Sequence, residues 1–175
     1  MTTDAPGTSP ADGGVDWRAW LETYGSRLYA YANGLDANEA DDLVQHALLG
    51  AVKAVREGRL RANGDDILRY AYTSIRHAAY RHFSNRSRRG RVDFAWSAER
   101  PWLDGAEAAE RALLCRCVES AMQKLPPAHA EVVFLHLWGG QTFRAIGEIL
   151  GEPPATVSSR YLYAITLIRK HLNLS

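Results

Sequence analysis

Residues 140–160 read Gly140-Gln-Thr-Phe-Arg-Ala-Ile-Gly-Glu-Ile-Leu-Gly151-Glu-Pro-Pro-Ala-Thr156-Val-Ser-Ser-Arg160. Thr142 stands where a helix N-cap belongs, with a hydroxyl able to accept an orphan backbone N–H. The helix it opens runs over residues 143–150 and stops at Gly151, a C-terminal breaker. Pro154 suits the first position of a second helix. In that helix Val157, Tyr161, Ala164, Ile165 and Ile168 recur at helical spacing. Residues 143–169 thus read as helix, Gly-containing turn and a longer, partly basic helix, the pattern of a helix-turn-helix. There the first helix braces and the N-terminal residues of the second reach base edges in the major groove. An αα-hairpin that merely packs fits the same local pattern.

Upstream, Leu114, Cys117, Val118, Ala121, Met122 and Leu125 form one stripe, ended by Pro126-Pro127, and a short helix over 128–138 is broken by Gly139-Gly140. Residues 91–106 lose periodicity. Pro101 and Gly105 punctuate them, and Phe94, Trp96 and Trp102 are off helical spacing, which predicts a linker whose aromatics dock. Before it lie three more helices. The first carries Trp17, Trp20, Leu21, Tyr24, Leu28, Tyr31 and Leu35. Asp36-x-x-Glu39 predicts a capping box opening the second, with Leu43, Val44, Ala47 and Leu48 as its buried stripe and Gly58 as its stop. Asn63-Gly64-Asp65-Asp66 predicts a turn and cap for the third, with Leu68, Ala71, Tyr72, Ile75, Ala79 and Phe83 on one face. Residues 1–14 are small and polar and read as a disordered tail. No stretch sustains period-two alternation. The expected fold is all-α: two small helical domains, 15–90 and 107–175, joined by a linker over 91–106, the second containing the helix-turn-helix.

The chain has 175 residues, 46% hydrophobic and 23% charged, an ordinary balance for a globular protein. Five Trp, eight Tyr and four Phe can fill real cores. No apolar run approaches the roughly 18 residues that span a bilayer, so no membrane partner is expected. The start, Met1-Thr-Thr-Asp-Ala-Pro-Gly, lacks a basic n-region and an apolar stretch, which argues for a cytoplasmic protein. Two Cys are too few for a disulfide scaffold. The net charge of +1 conceals a split. Residues 1–66 hold 6 Lys and Arg against 11 Asp and Glu, residues 67–91 hold seven Arg and no acid, and residues 92–175 hold 8 against 9. All the positive excess lies in one window, the footprint of a polyanion site beside an acidic surface suited to another partner.

Within that window Arg69, Arg76 and Arg81 alternate with Tyr70, Tyr72, Tyr80 and His77. Aromatics stack on unpaired bases while Arg neutralises phosphates, a combination suited to single strands. The bland reading is a solvated basic face with tyrosines in the core, and Tyr72 is core by its spacing. On the second helix the buried stripe leaves Asp41, Asp42, Gln45 and Leu49 towards solvent, and an exposed Leu beside acids and an amide suits a partner-facing patch. Other chemistry is thin. Cys115-x-Cys117 lacks a second ligand pair and reads as buried thiols, and His46 and His136 read as structural or surface groups. There is no Gly-rich phosphate loop, no G-x-S-x-G and no H-E-x-x-H. Asp36, Glu39, Asp41 and Asp42 complement a helix N-terminus rather than bind a metal. No catalytic residue, metal or cofactor is expected.

Residues 17–172 resemble a bacterial RNA polymerase sigma factor of the small, two-domain extracytoplasmic-function type. Glu39-Ala-Asp-Asp-Leu-Val-Gln45 matches the family helix that contacts the polymerase clamp. Tyr70-Ala-Tyr-Thr-Ser-Ile-Arg-His-Ala-Ala-Tyr80 lies at the family's promoter-melting helix. Leu125-Pro126 through Glu131-Val132-Val133 matches its Leu-Pro-x-x-x-Arg-Glu-Val run. Residues 140–151 match its bracing helix, and Thr156-Val-Ser-Ser-Arg160 the start of its reading helix.

The resemblance implies a non-enzymatic initiation subunit that binds core RNA polymerase, directs it to a promoter and helps open the duplex. It implies polymerase contacts at Asp41, Asp42, Gln45 and Leu49. It places melted-element contacts at Tyr70, Arg76, His77, Tyr80 and Arg81, and upstream-element contacts at Thr156, Ser158, Ser159, Arg160 and Tyr163. An anti-sigma factor as a further partner follows from the family alone. The chain departs from the family's pattern at several positions. Tyr70 replaces a usual Trp, His77 a usual Asn, and Arg81 a common Asp. Ser158 and Tyr163 stand where basic residues are frequent, and Pro153 replaces a polar cap. Between Glu152 and Ile168 the only charge is Arg160, so the second domain is expected to grip duplex DNA weakly. Polymerase, or an additional DNA-bound recruiting factor, would supply the missing contacts. The alternative function is a stand-alone helix-turn-helix regulator, which has no need of the acidic helix. An all-α enzyme would need inward-facing acids on several helices.

Overall fold

A computed structural model describes residues 14–86, 94–95 and 117–172. Every element among them is helical. α1 is Trp17–Leu35, α2 Ala40–Arg56 and α3 Gly64–Arg86. α4 includes residues 117–123. α5 is Pro127–Leu137, α6 Phe143–Leu150 and α7 Pro154–His171.

α1, α2 and α3 pack pairwise into one bundle. Asp16 caps α1, accepting from Ala19 N at 3.0 Å. Its inward stripe of Trp20, Leu28, Tyr31 and Leu35 is buried, while Leu21 turns out to be 39% exposed. The expected capping box does not form. α2 begins at Ala40, and Glu39 makes no side-chain cap. Asp36 instead ends α1, its N–H donating to Ala32 O at 2.8 Å, and its carboxylate accepts from Asn38 N in a tight turn. Glu39 lies beside His82 at 3.7 Å. The Asn63 cap does form. Its carbonyl oxygen accepts from Asp66 N at 2.8 Å and its amide donates to the Asp66 carboxylate at 2.7 Å. That bond, then Arg69, holds the Asp66 carboxyl below the usual range.

In the second bundle Thr142 accepts from Ala145 N at 3.2 Å, and α6 ends at Gly151 with φ +70°. That left-handed turn suits a residue without Cβ and swings the chain into Pro154. α7 packs on α5 and α6. Cys117 is exposed, which corrects its reading as a buried thiol. Cys115, Trp96 and Trp102 lie outside the described residues.

The two bundles meet along a seam, where Phe94, the one buried aromatic of the connecting segment among the described residues, fills the gap. Ala95 N donates to Gly34 O at 2.7 Å, and the Phe94 ring covers Gly34 so closely that a Cβ there would lie 2.5 Å from it. Phe94 stacks on Tyr31 at 5.8 Å and lies 5.5 Å from Phe134; Tyr31 meets Tyr72 edge-on at 5.1 Å. One continuous apolar core therefore runs from α1 through the seam to α7.

Candidate nucleic-acid interface

α3 supplies most of the candidate site. Tyr72, Ile75 and Ala79 are fully buried, which rotates the intervening positions outward. Between α2 and α3 lies an open cavity of about 570 Å³, lined by His46, Tyr70, Thr73, Ser74, His77, Tyr80 and Arg81. Four of the five predicted melted-element residues thus gather round one hollow. Tyr70 is half-buried, and its hydroxyl lies 3.1 Å from where a Cβ on Gly50 would stand. Tyr80 is 38% exposed. Arg81 reaches across to within 3.5 Å of His46 Nε2. His46, Thr73 and Ser74 join the hollow without any local sequence signal for it. His46 sits next to Gln45 on α2, and only the crossing of α2 over α3 brings it to this hollow. Thr73 is also bound locally, donating to Arg69 O at 2.9 Å.

Arg76, the fifth residue, turns away from the hollow. Its Nε donates to Glu131 Oε1 at 3.1 Å, and the side chains are only 18% and 7% exposed. Tyr31 Oη donates to the same Glu131 oxygen at 2.7 Å. Burial, then the Glu131 charge, push the Tyr31 hydroxyl well above its ordinary range. Burial pulls the Arg76 guanidinium down, but the Glu131 carboxylate together with the Tyr31 and Tyr80 hydroxyls outweighs it and raises the net value. The guanidinium also lies 4.6 Å from the Tyr80 ring centroid and 3.1 Å from its hydroxyl, so it positions that ring. Arg69 is likewise engaged, by Asp66 and by Glu148 at 3.3 Å. The sequence held one signal for this: a lone acid, Glu131, inside the apolar run Ala130 to Leu135.

On α2, Asp41, Asp42, Gln45 and Leu49 are all exposed, Leu49 to 68%. They form a continuous outward face over Leu43 and Ala47, which are buried. On α7, Ser159 and Tyr163 are exposed and Thr156 and Ser158 half-buried. Arg160 is held by Glu152 at 3.0 Å, so the one charge near the reading end is already paired. Tyr163 lies against His129 at 5.2 Å. No cluster of three metal-ligating side chains exists among the described residues, and none of their helices is long and apolar enough to cross a membrane.

Residues 20–89 match the model of Sigma-70 region 2, and residues 115–165 that of Sigma-70, region 4. The chain therefore belongs to the sigma-70 family of transcription initiation factors. Region 2 followed by region 4 is the two-domain, extracytoplasmic-function arrangement, so the protein binds core RNA polymerase, directs promoter recognition and opens DNA for initiation. In fold it is similar to the sigma factor RpoE from Bartonella quintana, solved in complex with the anti-sigma factor NepR. The TM-score is 0.64 with 22% sequence identity, over 91% of this chain and 98% of that one. No curated protein matches in sequence. No finding favours a stand-alone regulator.

Proposed function

We propose that this chain divides its work among three faces. The outward face of α2, Asp41, Asp42, Gln45 and Leu49, docks on core polymerase. The α2–α3 hollow, with Tyr70, His77, Tyr80 and Arg81, receives the unpaired promoter strand, Tyr80 stacking on a base and Arg81 neutralising a phosphate. Thr156, Ser158, Ser159, Arg160 and Tyr163 at the start of α7 face the upstream element. Region 2 spans 15–90, the linker 91–106 and region 4 107–175. The protein acts in the cytoplasm, without cofactor and without catalysis of its own, and its DNA chemistry is confined to binding and strand separation. By analogy with the RpoE complex, an anti-sigma factor is a partner. Because Arg160 is paired with Glu152, upstream binding is weak and depends on polymerase or on a second DNA-bound factor.

The observation that carries this reading is the hollow itself: four aromatic or cationic side chains of α3 converge on it, on a helix with no acid beyond Asp66. The test is in-vitro transcription with purified core polymerase on a promoter library. Recovery of one promoter class dependent on this chain supports the reading. Binding to duplex promoters without any polymerase dependence would favour the stand-alone regulator.

A further inference from the structure

His46 follows Gln45 on α2 but is turned a further 100° or so about the helix axis, away from the docking face and into the hollow. The other lining residues, Tyr70, Thr73, Ser74, His77, Tyr80 and Arg81, all belong to α3. Arg81 Nη2 lies 3.5 Å from His46 Nε2. A guanidinium only donates, so Nε2 accepts and the imidazole proton sits on Nδ1. Arg69 and Arg76 are answered by carboxylates, whereas Arg81 has no carboxylate partner among the described residues. His46 and Arg81 are both exposed, and no acid lines the hollow. Nitrogens from two helices thus converge on one point of a cationic, aromatic cavity. A phosphate oxygen arriving there meets Arg81 from one helix and a protonated His46 from the other. An anion between two cations replaces their repulsion with two charge-assisted hydrogen bonds.

We propose that His46 and Arg81 form a two-helix clamp for one phosphate of the unpaired strand, so that α2 supplies a DNA ligand as well as the polymerase-docking face. The phosphate takes over the contact that Arg81 now makes with Nε2, and Nε2 gains a proton as it binds. Strand capture therefore tightens as pH falls through the histidine range, and strand and proton each favour the other. The groups facing His46 from α3 are Tyr70, His77, Tyr80 and Arg81. Along α2, Asp42 lies one turn before it and Lys53 two turns after it. Glu39, two turns before it, lies beside His82 of α3. His77 is the other lining group able to titrate in that range, so it is tested beside His46. This inference rests on the reading of the hollow as the strand site, and the experiment separates the two.

Holoenzyme assembled from core polymerase and the full chain is offered a pool of randomised DNA fragments, each carrying a pre-melted segment. A fragment that it retains in preference to core polymerase alone becomes the probe. Finding no such fragment would overturn the strand site and the clamp with it. Fluorescence anisotropy then reads the affinity of holoenzymes carrying H46Q, R81A, H77Q or Y80A. H46Q should weaken binding by about fivefold, the loss of one charge-assisted contact at an exposed site, while its affinity for core polymerase is unchanged. Lost polymerase affinity would instead place His46 in the docking face and overturn the clamp. Single phosphates of the unpaired strand are next replaced by uncharged methylphosphonates. At one position the replacement should weaken the unsubstituted holoenzyme and have little further effect in H46Q or in R81A. Different positions for the two variants would overturn a shared phosphate. Between about pH 8 and about pH 6 the affinity should rise severalfold in the unsubstituted and H77Q proteins and by less in H46Q. A rise kept in H46Q and lost in H77Q would overturn the role of His46. If Y80A weakens binding and H46Q does not, the strand site stands and the clamp falls; if neither weakens it, the reading of α3 falls too.

Discussion

His129 sits under Tyr163 with its Nδ1 buried and without a hydrogen-bond partner among the described residues. Burial, then the charge of Arg160, hold its pKa below the ordinary histidine value. The folded chain therefore binds fewer protons here than the unfolded chain. Its contribution to stability is complete above the ordinary histidine range and is lost as pH falls through it. The melting temperature should drop between about pH 7.5 and about pH 5.5, and by less in H129Q, as scanning calorimetry at each pH will read. An equal drop in both proteins would remove His129 from the explanation. At the seam, Gly34 is small because Phe94 lies on it. Gly34→Ala should cost about 1–3 kcal/mol by overpacking and Phe94→Ala about 3–5 kcal/mol by leaving a cavity. Once the ring is gone its overlap with the methyl is relieved, leaving the Ala95 carbonyl oxygen at 3.1 Å as the close neighbour, so urea titration of the double variant should show a cost below the sum. Additive costs would mean that the two residues do not meet.

The helices were largely legible, and their legibility followed local physics. Asn63, Thr142, Gly151 and Pro154 act within four residues of themselves, so their caps and stops could be read directly. Asp36 misled because an acid three residues before a Glu also closes a turn, and the end of α1 claimed it first. The outward face of α2 was readable because Leu43 and Ala47 fix its rotation. Asp41→Lys with Asp42→Lys should therefore leave helicity intact while weakening core polymerase binding by about tenfold or more, roughly 1.4 kcal/mol. Polymerase affinity matching that of the unsubstituted chain would withdraw this face from the interface. On α7 the paired Arg160 gives a prediction of opposite sign. Glu152→Gln should release it for a phosphate, strengthening binding to upstream duplex and steepening its salt dependence by about one contact's worth. An unchanged salt slope in filter binding would show that Arg160 does not face DNA.

At the scale of the whole molecule the sequence was least informative. Windows of charge marked α3 as basic, but no local pattern tells that Arg76 and Arg69 are answered by acids 55 and 79 positions later. Such pairings are set by how two bundles meet, and that depends on Gly34, Phe94 and Phe134 fitting together. The same holds for His46, which reaches the α3 hollow only through the crossing of two helices. Family membership and the broad function were nonetheless readable, because they rest on the order of several short patterns along the chain rather than on any contact between them. In the proposed function the hollow on α3 acts after promoter binding, in the opening of the duplex. Permanganate footprinting with core polymerase tests this most directly, comparing the unsubstituted chain with Tyr80→Ala and Arg81→Ala on duplex and pre-melted templates. Loss of stacking on one base, worth about 1–3 kcal/mol, should reduce reactive thymines on duplex promoters far more than it reduces total occupancy, and a pre-melted bubble should restore transcription. Equal losses of occupancy and opening, with no rescue by the bubble, would contradict strand capture by α3 and leave it an ordinary phosphate-binding face.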